Sequence, residues 1–331
     1  MTGRTAGIDF VDPALEGAVR SGLDAVESML RASVKSDYPF VTETSQHLVA
    51  AGGKRFRPLV VLLAAQFGDP GAPGVVPAAV VVELTHLATL YHDDVMDEAL
   101  MRRGAVSANS RWGNTVAILT GDFLFARASD ILADLGPEAV RLQARTFERL
   151  VQGQIRETVG PGEGDDPVEH YLHVVADKTG SLIGTSGRFG AMLSGADDAA
   201  VEVLTRFGER IGVAFQLSDD LLDVMSESAD SGKVPGTDLR EGVATLPVLL
   251  LRRSADSADA GLLAALDGDL SDDATLATTL GALRRHPVMD EARGVLAEWA
   301  EDARATLAPL PDVPAKRALE SLCDFVVGRT G

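Results

Sequence analysis

Residues 77–97 read PAAVVVELTHLATLYHDDVMD, a run whose apolar positions recur at helical spacing and which closes on an acidic pentad, Asp93-Asp94-Val95-Met96-Asp97. A second pentad of the same Asp-Asp-x-x-Asp form, Asp219-Asp220-Leu221-Leu222-Asp223, stands inside an apolar helical stretch in the other half of the chain. On a helix, residues four apart share a face, so each pentad aims two carboxylates in one direction with a third beside them. Like charges at that spacing repel by about 0.2–0.5 kcal/mol when exposed, and by more among apolar neighbours. Two such clusters call for a cation. Hard, oxygen-seeking Mg2+ suits them, because it binds through one or two carboxylates and completes its shell with water and phosphate oxygens.

Helical periodicity recurs nearly throughout the chain, over about 13–32, 42–50, 57–68, 77–97, 114–134, 137–158, 167–193 with a break at Gly180, 197–226, 241–253, 273–284, 288–308 and 313–328. Pro13, Pro58 and Pro77 stand where a first helical turn tolerates proline. No stretch alternates like a strand. Hydrophobic residues are 46% of the chain and aromatics 5%, a balance that favours helices packed on helices, so the expected fold class is all-α. The loop from Glu227 to Glu241 resembles a linker, but the apolar helices on its two sides could not each bury their faces in a separate small domain. It reads instead as a mobile active-site loop within one domain over 1–331. The motif-bearing core of that domain is about 45–250, with peripheral C-terminal helices at about 270–329.

Charge and cysteine content exclude several classes. Lys plus Arg is 30 and Asp plus Glu is 49, a net charge of −19, which disfavours nucleic-acid binding. The same field would repel a diphosphate unless metal ions and a few placed cations reversed it locally. With one cysteine, Cys323, neither an intrachain disulfide nor a zinc cluster can form. Met1 to Phe10 lacks the apolar core of a signal peptide, and the strongest apolar run, Leu59 to Ala65, is too short to cross a bilayer. The expected location is cytoplasmic.

Placed cations do occur. Gly52-Gly53-Lys54-Arg55-Phe56-Arg57-Pro58 sets three of them next to a glycine pair before a helix start, a combination suited to a polyanion. His86 precedes Asp93 by seven residues, two helical turns, and so lies at nearly the same azimuth. Arg102 and Arg103 follow the first pentad; Gln216 precedes Asp219 and Asp220 by three and four residues; Lys178, Thr179 and Lys233 complete a second set of phosphate-seeking groups. Taken singly, a pentad is more often a solvated helix face, His86 a satisfied core histidine, and Lys178 or Lys233 a solvent-exposed cation. Their co-occurrence lifts the functional reading.

In these motifs the chain resembles the trans-isoprenyl diphosphate synthase (polyprenyl synthetase) family. The GGKRxRP pattern is complete at 52–58, and the first aspartate-rich motif is complete from His86 to Arg103. Gly121-Asp122-Phe123-Leu124, Gln152-Gly153-Gln154 and Lys178-Thr179-Gly180 resemble the middle signatures. Phe215-Gln216 with Asp219 to Asp223 resembles the second motif. Gly232-Lys233, Gly236, Asp238-Leu239, Gly242 and Thr245-Leu246-Pro247 fit the family pattern downstream of it. The resemblance implies an all-α bundle around a central deep cavity. It also implies head-to-tail condensation of an allylic diphosphate with isopentenyl diphosphate, Mg2+ at about three ions per active site, and a homodimer.

In that scheme the carboxylates of Asp93, Asp97 and Asp219 hold metal foremost. Asp94, Asp220 and Asp223 support them, and Asp223 is also counted among the ligands. Arg102, Lys178, Thr179, Gln216 and Lys233 grip the allylic diphosphate, with Lys178 counted among the catalytic groups, while Lys54, Arg57, His86 and Arg103 hold isopentenyl diphosphate. The growing tail would run back along the helix of the first pentad. Ala88 and Thr89 would set the first limit there, and Leu84 or Val81, or Phe123 or Phe125 from the next helix, a floor. Alanine at 88 leaves the channel open, so the expected product exceeds twenty carbons and serves as a quinone side chain, with transient membrane contact. Ala88→Phe is expected to shorten it. The rival readings are a farnesyl or geranylgeranyl diphosphate synthase, a non-catalytic partner subunit, a class I terpene cyclase (which the intact second pentad opposes) and a prenyl-lipid carrier.

Overall fold

The computed structural model describes residues 10–226, 235–254 and 256–330. Its helices are α1 (Pro13–Ser33), α2 (Pro39–Ala50), α3 (Phe56–Ala64), α4 (Val75–Met96), α5 (Ala108–Trp112), α6 (Asn114–Leu135), α7 (Pro137–Val159), α8 (Pro167–Val175), α9 (Ser181–Leu193), α10 (Asp198–Met225), α11 (Thr237–Arg240), α12 (Leu246–Ser254), α13 (Ala260–Leu266), α14 (Asp273–Arg284), α15 (Val288–Thr306) and α16 (Pro314–Gly328). Local chemistry sets many starts. Proline occupies the first turn of α1, α2, α7, α8 and α16, where its missing N–H is no loss. Asp12, Asp166, Asp197 and Asp272 cap α1, α8, α10 and α14 with carboxylates that accept from backbone N–H groups of the first turn.

Two apolar cores organise the bundle. In one, α4 packs on α6, α3 and α9, burying Leu84, Leu87, Tyr91, Leu124 and Phe189. In the other, α10 packs on α9 and α15, burying Phe207, Leu217, Leu221, Leu296 and Leu322. Each acidic pentad therefore rides on a helix anchored in its own core. By length and composition α4 alone among the described helices could cross a membrane, but 67% of its apolar window is buried inside the bundle, as in a core helix.

Four local differences from the sequence reading have physical causes. Residues 176–180 form one π-helical turn between α8 and α9, so the chain is rewound before Gly180 and not broken at it. The helix expected from 241 begins at Leu246, after Gly242 at φ +75°, with Pro247 in its first turn. The segments α5, α11 and α13 are too short to show a period. Strands β1 (Met101–Arg102) and β2 (Ala105–Val106) pair antiparallel around Arg103 (φ +54°) and Gly104 (φ +76°), a turn whose twist suits a two-residue hairpin.

Candidate active site

The two pentads meet on one cavity of about 1240 Å3, larger than the roughly 300–1,000 Å3 usual for small-ligand pockets. Asp93 and Asp97 line it from α4, and Asp219, Asp220 and Asp223 from α10. Asp94 does not; it is fully buried and accepts from Arg102 Nε at 2.5 Å. Arg102 Nη2 lies 3.8 Å from Asp97 Oδ2, so the same guanidinium braces two members of the first pentad. Burial pushes the Asp93 carboxyl up to about 6, and neighbouring Asp97 pushes the same way against Lys178 and Arg102. Asp97 is likewise raised by burial.

No three carboxylate, imidazole or thiolate groups among the described residues converge as a ready-made metal cage. The donors fit Mg2+ all the same, because that ion needs only one or two carboxylates when phosphate oxygens and water fill the rest of its shell. Buried carboxylates such as Asp93 and Asp97, raised by desolvation where they line the cavity, are the chemistry such an ion would neutralise.

The cation sets divide by role. Arg55, the left-handed N-cap of α3 at φ +49°, turns away from the cavity to Glu27 and to buried Glu83, whose Oε1 accepts from Nη1 at 2.8 Å. It is a structural ion pair. Arg57 lines the cavity, and burial lowers its guanidinium to about 10, still cationic at neutral pH; its Nε is buried without a partner among the described residues. Lys54 Nζ stands 4.0 Å from Asp219 Oδ1 and 5.6 Å over the Phe215 ring.

From the hairpin, Arg102 turns to the first pentad while Arg103 turns to the glycine loop and donates to the Gly52 carbonyl. A Cβ on Gly53 would stand 2.9 Å from Arg103 Nη1, so the second glycine makes room for this arginine. Arg103 Nη2 also lies 3.3 Å from His86 Nε2. A guanidinium only donates, so that nitrogen accepts and the imidazole is neutral. Burial, then Arg57 and Arg103, hold His86 well below its usual range, in agreement.

On the opposite wall a relay of hydrogen bonds joins the π turn to the second pentad. Thr179 Oγ1 donates to Gln216 Oε1 at 3.0 Å, and Gln216 Nε2 donates to Asp220 Oδ1 at 2.7 Å. The Tyr171 hydroxyl donates to Asp220 Oδ2. Lys178 Nζ is 2.5 Å from Glu157 Oε2 and close enough to Asp93 and Asp97 to pull both carboxyls down. Asp223 accepts from the backbone N–H groups of Thr237 (3.3 Å) and Asp238 (3.1 Å), tying α11 to the pentad.

Residues 38–282 match the polyprenyl synthetase family model. The chain belongs to the polyprenyl synthetase family. It is 53% identical over 327 residues to a nonaprenyl diphosphate synthase of Mycobacterium tuberculosis, covering 98% of both chains. Among solved structures it is similar to a geranylgeranyl pyrophosphate synthase of Corynebacterium glutamicum complexed with calcium and isoprenyl diphosphate (TM-score 0.87, 45% identity, 98% of this chain and 100% of that one). It is also similar to a decaprenyl diphosphate synthase of Rhodobacter capsulatus (TM-score 0.86, 34% identity, 96% and 99%). This polyprenyl synthetase is therefore an enzyme, a trans-prenyltransferase.

Not every residue expected at the site of this polyprenyl synthetase is on the cavity wall. Lys233 lies outside the described residues, as does most of the loop from Glu227. Thr89 lines the cavity, but Ala88, Leu84 and Val81 are fully buried in helix packing and lie off it. The cause is angular. At 3.6 residues per turn, four residues before Asp93 is about 40° from its azimuth, whereas five residues before it is about 140° away. Phe125 of α6 and Phe147 of α7, ring centroids 4.6 Å apart, line the cavity, and Phe123 does not. Sequence reasoning missed Tyr171, although it precedes Lys178 by two helical turns just as His86 precedes Asp93. It also missed Arg329. That side chain donates to Asp219 from 110 residues away, and no local signal could have shown it.

Proposed function

We propose that this trans-prenyltransferase condenses an allylic prenyl diphosphate with successive isopentenyl diphosphates. The product would be an all-trans polyprenyl diphosphate of more than twenty carbons, used as a quinone side chain. In each cycle the allylic C–O bond breaks with its electron pair leaving on diphosphate. The isopentenyl double bond attacks the allylic carbon, and the proton lost to form the new double bond goes to the departing diphosphate. The observation that carries this reading is the shared cavity. Two carboxylate clusters face it together with Arg57, Arg102 and Lys178, which is what a multiply charged diphosphate leaving group arriving with counter-ions requires.

Asp93, Asp97, Asp219 and Asp223 would hold Mg2+, with Asp94 and Asp220 as braces. When bound, the metal supplies Lewis-acid stabilisation of the charge growing on diphosphate. Arg102, Lys178, Thr179 and Gln216 bind the allylic diphosphate. Lys54, Arg57, Arg103 and neutral His86 bind isopentenyl diphosphate, a role supported by the unpartnered Arg57 Nε, a buried donor with an anion to find. Incubation of the pure protein with isopentenyl diphosphate, allylic starters and Mg2+ is expected to give products longer than twenty carbons by chromatography. Termination at fifteen or twenty carbons would replace this reading with a short-chain synthase.

We also propose a homodimer of single-domain protomers working in the cytoplasm. Leu119 of α6 and Ile155 of α7 are apolar side chains 60% and 56% exposed, which supports a contact between two copies there. Light scattering is expected to give twice the 34.8 kDa chain mass, and the Leu119→Glu, Ile155→Glu double variant to give one chain.

A further inference from the structure

The second pentad is braced by the far end of the chain. Arg329, at the C-cap of α16, sends Nη2 to Asp219 Oδ1, the oxygen that Lys54 also approaches. Asp219 Oδ2 takes no partner among the described residues, while Asp219 itself lines the cavity. The Arg329 guanidinium is fixed in place by rings. It lies 4.9 Å over Phe215, one helical turn before Asp219, and 5.6 Å from Phe325. Phe215 is in turn stacked on Phe56 with centroids 4.4 Å apart.

The chain end is held at two more points, one on the pentad helix α10 and one on α15. Ser218 Oγ, adjacent to Asp219, donates to the Val326 carbonyl at 2.9 Å, and Arg293 Nε donates to the Thr330 carbonyl at 3.3 Å. Arg329 Nη1 is buried with no partner among the described residues, a cost that a side chain placed there for packing alone would avoid.

We propose that Arg329 is a positioning residue of the prenyl transfer: it holds Asp219 by one oxygen so that the other is presented to the cavity for metal. This rests on the reading of Asp219 as a metal ligand. A carboxylate on a helix can rotate about its side-chain torsions, and three acids within one turn repel one another. A fixed guanidinium behind Asp219 removes both problems, as outer partners of metal ligands generally do. Arg102 braces the first pentad through Asp94, which lies off the cavity, but from only eight residues away.

The test is Mn2+ binding to the full-length enzyme in the presence of inorganic pyrophosphate, followed by electron paramagnetic resonance, beside the Mg2+ dependence of turnover. Arg329→Gln is expected to weaken Mn2+ binding about tenfold and to raise the half-saturating Mg2+ by a similar factor, with kcat largely recovered at saturating Mg2+. Arg329→Lys should restore most of the affinity, and melting curves of both variants should match the parent. Asp219→Asn is the control. If it weakens Mn2+ binding and Arg329→Gln does not, the positioning role is overturned while the metal site stands. Tighter binding in Arg329→Gln would also overturn it, by making Arg329 a competitor for Asp219. If Asp219→Asn itself leaves Mn2+ binding unchanged, the assignment of Asp219 as a ligand fails and the role of Arg329 falls with it.

Discussion

Asp93→Asn is expected to lower kcat/KM by about a thousandfold, with the fold intact. Asp93 faces the shared cavity from the end of α4, and burial has already pushed its carboxyl up to about 6. Keeping it ionised in the free protein therefore costs energy, which a cation arriving with diphosphate would return. The asparagine variant removes that cost and the donor together. Losing about 4 kcal/mol of charge stabilisation on the leaving group corresponds to about three orders of magnitude in rate. The thermal midpoint in metal-free buffer should stay level or rise, which separates this loss from simple unfolding. A chelator should reproduce the loss in the parent enzyme. Undiminished turnover in EDTA would remove metal from the scheme.

Thr89→Phe is expected to cut the product short, to twenty carbons or fewer, whereas Ala88→Phe is expected to act on stability. The two positions are neighbours in sequence but not on the helix. Thr89 is about 40° from the azimuth of Asp93 and lines the cavity, so an aromatic ring there stands in the path of a tail growing back along α4. Ala88 is fully buried against neighbouring helices, and its carbonyl lies 3.1 Å from where a Cβ on Gly121 of α6 would be. Overpacking a site of that kind costs about 1–3 kcal/mol, occasionally more. Chromatography of the products and melting curves of the two variants check both halves. An unchanged product from a folded Thr89→Phe enzyme would show that the tail takes another route, past Phe125 and Phe147.

Most of the fold and the two acid clusters are legible in the residues alone, because they depend on short-range patterns. A long run apolar on nearly every side specifies α4, apolar spacing at the helical period specifies α10, and four-residue spacing puts two carboxylates of each pentad on one face whatever the rest of the chain does. The neutral state of His86 is not legible there. It follows from burial of the imidazole, with Arg57 from α3 and Arg103 from the hairpin arriving beside it. Nor is the division between Arg55 and Arg57, which depends on which of two neighbouring arginines meets Glu83. The hairpin that aims Arg102 and Arg103 apart is hidden because two-residue strands carry no period.

By itself the sequence determined an all-helical chain bearing two carboxylate walls, two sets of cations and the family to which they belong, since each is written within a few helical turns. Only the tertiary structure decided which faces of α4 reach the cavity, which oxygens are already taken, and that the last helix returns Arg329 to Asp219 across 110 residues. Those outcomes depend on packing between distant segments. No local spacing encodes the azimuth at which one helix meets another, or the point at which a chain end comes to rest.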